Sequence, residues 1–370
     1  MNLKDYFPLP LHEQWLKIVQ KELKDITYDS LFFKNVDGIK IAPIHHHHQD
    51  YEQPIKTQFP ELVSYWNFPF SKVGLSYHLI NHKNHSFEMV FLSLPFELAI
   101  QSKSEHYLLI NDFFEPSKFL NLIPQFPELS TKYKGIVLDI SYLQECGANN
   151  IDSISFALFL LEKIPRNIPI IIKVSIANDF YSEIAKMRAL NFILQNFGFY
   201  NVKIWAKTAE INKSLLHLEN NLIRLTSEVV AAVLGGSHYI SIIPFDLNFD
   251  DEFGIRISAN ILNLLKFESY LDKVSDPLRG AYSIEKLTNS YTSQFFQQLL
   301  FWKSLNPSNL FQQIQNQAHN NLKKILLKYQ NKENLLVGVN IYPNQLETRE
   351  EEKIDYFPET LRPVRIAQLL

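Results

Sequence analysis

The sequence predicts an α/β fold: a TIM (β/α)8-type barrel with an N-terminal helical arm and a C-terminal extended linker. Three observations carry this reading. From about residue 85, short runs rich in Val, Ile, Leu and aromatics recur as SFEMVFLSL, HYLLI, KGIVLDI, IPIIIKVSI, NVKIWA and HYISIIP. Longer stretches with apolar residues at helical spacing separate them. The runs are apolar throughout, as expected of parallel strands buried on both faces. Repetition of this unit over roughly 200 residues suits a barrel, with a doubly wound open sheet as the competing architecture.

In chain order, residues 1–60 read as the arm. HEQWLKIVQKELKD places Trp15, Ile18, Val19 and Leu23 on one helical face, which must lie against its own barrel or a partner. GIKIAPI then alternates like a strand and ends at Pro43. Residues 61–305 read as the barrel. Its clearest helix, DFYSEIAKMRALNFILQNFG, aligns Ile184, Met187, Leu190 or Asn191, and Leu194, with Asp179 as N-cap and Gly198 as stop. Residues 306–370 read as a C-terminal helix, NLKKILLKYQ, and a linker tail rich in charge and proline.

Composition excludes several function classes. The net charge of −3 argues against nucleic acid or a membrane surface as partner. The most apolar stretch, 154–174, is broken by Glu162, Lys163, Pro165 and Arg166, so no membrane span is expected. MNLKDYFPLP has no apolar signal region, and one cysteine cannot form an internal disulfide, which together read as cytoplasmic. Ten glycines in 370 residues, and neither GxGxxG nor GxxxxGK[ST], leave no usual phosphate-cradling loop. GxSxG and HExxH are also absent.

Two stretches remain as candidate sites. In IHHHHQD at 44–50, adjacent histidines of an extended segment point to opposite sides. At most alternate ones such as His45 and His47 share an ion, and a solvated loop is the better reading. In GIVLDISYLQECGA at 135–148, Ser141, Tyr142, Gln144, Glu145 and Cys146 follow a strand, where a parallel barrel places its active-site mouth. They would bind a polar ligand there, or satisfy loop backbone groups and cap the next helix. Cys146 reads as a small packed hydrophobe.

An ordered set of motifs resembles the methylmalonyl-CoA mutase family. SDPLRGAYSIEKLTN (275–289) is similar to its Asp-Pro-x-Gly-Gly-Ser-Tyr-x-(Ile/Val)-Glu-x-Leu-Thr signature. WLKIVQKELK with SLFFKNVDGIKIAPI resembles its arm, and YSEIAKMRAL its Glu-Ile-Ala-Lys-x-Arg-Ala helix. VVAAVLGGSHYISIIPFD resembles its Gly-Gly strand, and VGVNIYPN and RPVRIAQ its linker. The resemblance implies a TIM barrel holding an acyl-CoA along its axis, followed by a cobalamin domain. Adenosylcobalamin supplies the radical chemistry that interconverts methylmalonyl-CoA and succinyl-CoA.

Departures decide which kind of member is expected. Catalytic chains read Tyr-His-Met-Gln-Glu-Ala-Gly-Ala at the strand end, and here Tyr142 stands in place of the histidine. A phenol of pKa about 10 cannot carry positive charge as imidazole does. The cobalt-ligating Asp-x-His-x-x-Gly occurs nowhere, and the Arg-Pro-Trp-rich CoA entrance has no counterpart near residues 60–80. Arg279 replaces the first signature glycine. The resemblance therefore implies a small (beta) subunit lacking the cobalamin domain, with no catalytic residues and a degenerate site at Ser141, Tyr142, Gln144 and Glu145. No cofactor is expected on this chain, and adenosylcobalamin is expected in the complex. The expected partner is the catalytic large (alpha) subunit, met through Trp15, Ile18, Val19 and Leu23, with the 357–370 tail nearby. The alternative is an acyl-CoA mutase barrel active with a separately encoded cobalamin-binding subunit.

Overall fold

The computed structural model describes residues 12–24, 26–45, 63–67, 75–80, 86–93, 105–110, 124, 134–249, 251–271, 273–274, 276–343 and 362–370. The arm opens with α1 (His12–Leu23) and continues into a hairpin of β1 (Phe33–Lys34) and β2 (Lys40–Ile41). Eight further strands follow: β3 (Val63–Asn67), β4 (Leu75–Ile80), β5 (Ser86–Ser93), β6 (Glu105–Ile110), β7 (Gly135–Asp139), β8 (Ile170–Ile176), β9 (Val202–Thr208) and β10 (Tyr239–Ser241). They hydrogen-bond in a closed circuit, β10 to β3 and then in order to β9.

The α/β class and the helix-covered parallel sheet match expectation, but the ring is not eight equal β/α units. β4 pairs antiparallel with both β3 and β5, while the other ladders are parallel. The connections, residues 68–74 and 81–85, are too short for the crossover that parallel neighbours need. The described helices are, after α1, α2 (Ser141–Glu145), α3 (Asn150–Leu161), α4 (Phe180–Asn196), α5 (Leu218–Leu234), α6 (Glu252–Phe267), α7 (Tyr282–Ser304), α8 (Pro307–Gln330) and α9 (Ile366–Leu369).

The core explains the apolar runs. Ile136 and Leu138 of β7, Ile172 and Val174 of β8, Ile204 and Ala206 of β9 and Ile240 of β10 pack with Ile184, Leu190, Val229 and Phe295 of the helices. α8 joins this core through Leu310, Phe311 and Ile314, with Phe311 edge-on to Phe156 at 5.5 Å. A smaller cluster links Leu322 and Tyr329 of α8 to Val364, Ile366 and Ala367 near the end of the chain. The backbone N–H of Ile366 donates to the carbonyl of Ile211 at 2.8 Å, so this segment is tied to the loop after β9.

Of two local expectations at α4, one holds and one is modified. Gly198, at φ +72°, ends α4 as expected, its N–H donating to the carbonyl of Gln195. Asp179 occupies the N-cap position of α4 but makes no side-chain cap. Its Oδ2 instead accepts the backbone N–H of Val36 at 3.2 Å, because the arm's hairpin loop lies there. That loop docks on its own barrel. Asn35 Nδ2 donates to Ser182 Oγ and Tyr291 Oη, both at 3.0 Å, and Asp37 accepts the backbone N–H and Nδ2 of Asn150 and the Tyr291 hydroxyl.

Candidate functional site

The strand-end cluster forms where β7 runs into α2. Asp139 closes the strand, and its Oδ1 accepts the Ser141 hydroxyl. Gly147 ends the turn at φ +99°, and a Cβ there would meet Leu322 Cβ at 2.6 Å, so α8 can lie this close only against glycine.

Gln144 and Glu145 are buried and fully engaged. Gln144 Oε1 accepts the backbone N–H of Ser175 at 2.6 Å, while Nε2 donates to Asn150 Oδ1 at 3.0 Å. Glu145 accepts the backbone N–H groups of Glu210 and Ile211 and the Ser175 hydroxyl at 2.8–3.1 Å. Burial holds the Glu145 pKa above the usual carboxylate range, with Lys207 opposing it. These contacts favour the reading in which the cluster satisfies loop backbone, tying the ends of β7, β8 and β9 together. Tyr142 is half-buried beside them. Cys146 is wholly buried, and burial followed by the Glu145 charge pushes its thiol pKa up, so it is not a nucleophile.

The axis of the ring holds a group the sequence reading passed over. Residues alternating with the core-facing ones turn to the opposite face of the sheet, inside the ring. They include Asp139, Lys173, Trp205 and Tyr239, which are register partners across β7, β8, β9 and β10. Lys173 Nζ donates to Asp139 Oδ2 at 2.8 Å and lies 4.8 Å from the centroid of the Trp205 ring. Trp205 Nε1 donates to Ser241 Oγ at 2.9 Å, and the indole is 1% exposed. The next tier brings Ser175, Lys207 and Ser241 into register. Burial works against the Lys207 ammonium, yet Glu210 and Glu145 hold its pKa above the ordinary value. The signal was present in IIIKVSI and VKIWAKT. A lysine inside a buried run marks the strand's second face as polar.

A cavity of about 190 Å³ lies off the ends of β8 and β9, between the arm's hairpin loop and α8. Gln144, Ser175 and Glu183 line it; Asp139, Lys173 and Trp205 do not. Of the arm residues, Ile18 is 61% exposed, while Trp15, Val19 and Leu23 are half-buried. Trp15 stands edge-on to Tyr28 of the same arm at 5.6 Å. Residues 46–48 of the histidine run and 357–361 of the tail lie outside the described residues. Among those described, no group of three His, Cys, Asp or Glu is placed to hold a metal, and no helix is long and apolar enough to cross a membrane.

Fold and site define a helix-covered α/β ring whose strand-end carboxylate and amide are bonded to its own loops. A family model described as methylmalonyl-CoA mutase matches residues 169–369, more than half of the chain. The chain belongs to the methylmalonyl-CoA mutase family. It is 34% identical over 167 residues to the methylmalonyl-CoA mutase small subunit of Porphyromonas gingivalis, covering 42% of this chain and 27% of that one. It is 27% identical over 218 residues to the methylmalonyl-CoA mutase of Escherichia coli, covering 51% and 30%. It is also 27% identical over 195 residues to the 2-hydroxyisobutanoyl-CoA mutase large subunit of Aquincola tertiaricarbonis, covering 49% and 34%. The matched stretches span about a third or less of these relatives' lengths.

Among the described histidines, His238 does not fit a cobalt ligand. Asp-x-His-x-x-Gly occurs nowhere in the sequence. The half-buried His238 commits Nδ1 to the backbone N–H of Ile204 at 3.1 Å, and desolvation lowers its pKa to about 4.

Proposed function

We propose that this chain is the non-catalytic small (beta) subunit of a cytoplasmic, heteromeric, adenosylcobalamin-dependent methylmalonyl-CoA mutase. The large (alpha) subunit would perform the isomerisation, and this chain would brace it. In this reading residues 1–60 are the arm that reaches the partner, 61–305 the mutase-type barrel, and 306–370 the helix and linker that close it.

The observation that carries the reading is the occupied axis. A substrate threaded along the ring would have to displace Trp205 and separate Asp139 from Lys173. Both are costly, because an indole leaves a large void and a parted buried pair leaves two uncompensated charges. Tyr142 supports the same reading, since it cannot become cationic beside a thioester. Ser141, Gln144 and Glu145 then form a degenerate site whose bonds have passed to its own loops.

The test is to purify the chain alone and with a co-expressed large subunit. Alone, it is expected to leave the adenosylcobalamin spectrum unchanged and to turn over no methylmalonyl-CoA, and Tyr142→His is expected not to restore turnover. With the large subunit it should copurify as a stable complex. Turnover on adding only a separate cobalamin-binding chain would overturn the proposal in favour of a catalytically competent barrel.

A further inference from the structure

We infer that the cavity between the arm's hairpin loop and α8 binds a small zwitterion, its ammonium held by Glu183 and its acid group by Lys34 and Lys328. The site lies off the ends of β8 and β9 and does not depend on the subunit role proposed above.

Glu183 lines this cavity from the first turn of α4 and is only 2% exposed. Its Oε2 accepts from Lys186, while Oε1 has no hydrogen-bond partner among the described residues. Lys186 cannot serve that second oxygen. Its other ammonium hydrogens go to the Ser175 carbonyl at 2.8 Å and Asn150 Oδ1 at 3.2 Å. Asp37 also lines the cavity, and the Lys186 charge acts on both carboxylates. The shortage of positive charge shows in Glu183 itself, whose pKa burial pushes up to about 7 against the pull of Lys186. An ammonium at Oε1 would complete the pairing.

The lining also carries the opposite sign. Lys34 and Lys328 are exposed where they line the cavity. Ile211, Ile325 and Ile366 add apolar lining. About 190 Å³ is far more than the ~10–15 Å³ that one water needs, and below the ~300–1,000 Å³ of sites for drug-sized ligands. An amino-acid-sized molecule with a short apolar body fits charge, polarity and size together.

The test titrates the full chain with γ-aminobutyrate and leucine, and with butylamine and butyrate as half-probes, by calorimetry and thermal shift. A zwitterion should bind saturably and more tightly than either half-probe. Glu183→Gln should weaken it about tenfold or more. Lys328→Ala should weaken the zwitterion but leave butylamine unchanged. If Glu183→Gln fails to fold, Ile325→Trp blocks the cavity with its charges intact and should abolish binding. No saturable response to any amine, binding that survives Glu183→Gln or Ile325→Trp, or butyrate binding as tightly as the zwitterion would each overturn the assignment.

Discussion

Arg188, wholly buried on α4, donates Nη2 to Glu285 of α7 at 2.9 Å. Its Nη1 reaches Asp276 in the approach to that helix, and Glu285 also accepts the Gly280 backbone N–H at 2.9 Å. The Glu-Ile-Ala-Lys-x-Arg-Ala and Asp-Pro motifs are therefore two halves of one clamp. Removing one partner of a buried charge group leaves the others uncompensated, at about 3–5 kcal/mol. Arg188→Leu should lose that much stability in chemical denaturation. A loss under about 1 kcal/mol would mean the clamp is hydrated and the motifs are joined by packing alone.

A second buried pair allows a sharper measurement. Lys213 Nζ contacts both oxygens of Glu228 at 2.7 and 2.9 Å, both side chains are fully buried, and Asn212 bonds to each. Lys213→Met alone should cost about 3–5 kcal/mol, and adding Glu228→Leu should return most of it, because an apolar replacement removes the desolvation penalty with the charge. Equal losses in the single and double variants would show that the pair is not what stabilises the loop after β9.

Much of the fold was legible because its parallel strands are buried on both faces. IIIKVSI of β8 and GIVLD of β7 stand out as unbroken runs, and Gly198 marks the end of α4. β3 and β4 were not recognised, since VSYWN and LSYHLI are short and mix polar with apolar residues. At the site, Gln144 and Glu145 were visible as polar residues past a strand. Their partners Ser175, Glu210 and Ile211 lie 30 or more positions away, and no spacing rule reaches that far. The docking of Asn35 and Asp37 on Tyr291 was hidden for the same reason, with separations of 256 and 254 residues.

Stability should depend on pH through Glu183. Its pKa is raised from 4.5 to about 7, so between those values the folded chain keeps a proton that the unfolded chain has released. This contribution is full below about pH 4.5 and is lost as pH rises through 7. Asp152, raised to about 6 by burial and then by the Asp37 charge, acts in the same direction. His238, lowered to about 4, opposes both until about pH 7.5, where the unfolded imidazole has lost its proton as well. From pH 6.5 to 8 the folded state should therefore lose roughly 0.5 kcal/mol net, and Glu183→Gln should abolish that loss. Parallel melting curves for the two proteins across this range would refute the assignment.

The arm provides the test of assembly. Its hairpin loop is fixed to its own barrel by Asn35 and Asp37, and Trp15 packs on Tyr28, so these side chains support the arm itself. Ile18 faces outward at 61% exposure and has no such duty. If α1 covers the large subunit, burying Ile18 there is worth about 1.5–3 kcal/mol, which is tenfold or more in affinity. Ile18→Asp should then reduce copurification with the large subunit by at least about tenfold, while changing the unfolding of the isolated chain by less than about 0.5 kcal/mol. Trp15→Ala with Leu23→Ala should weaken copurification as well, but with some loss of arm stability because the Tyr28 contact goes too. An Ile18→Asp chain that retains its partner undiminished would remove the exposed face of α1 from the interface, leaving the anchored hairpin and barrel to make it.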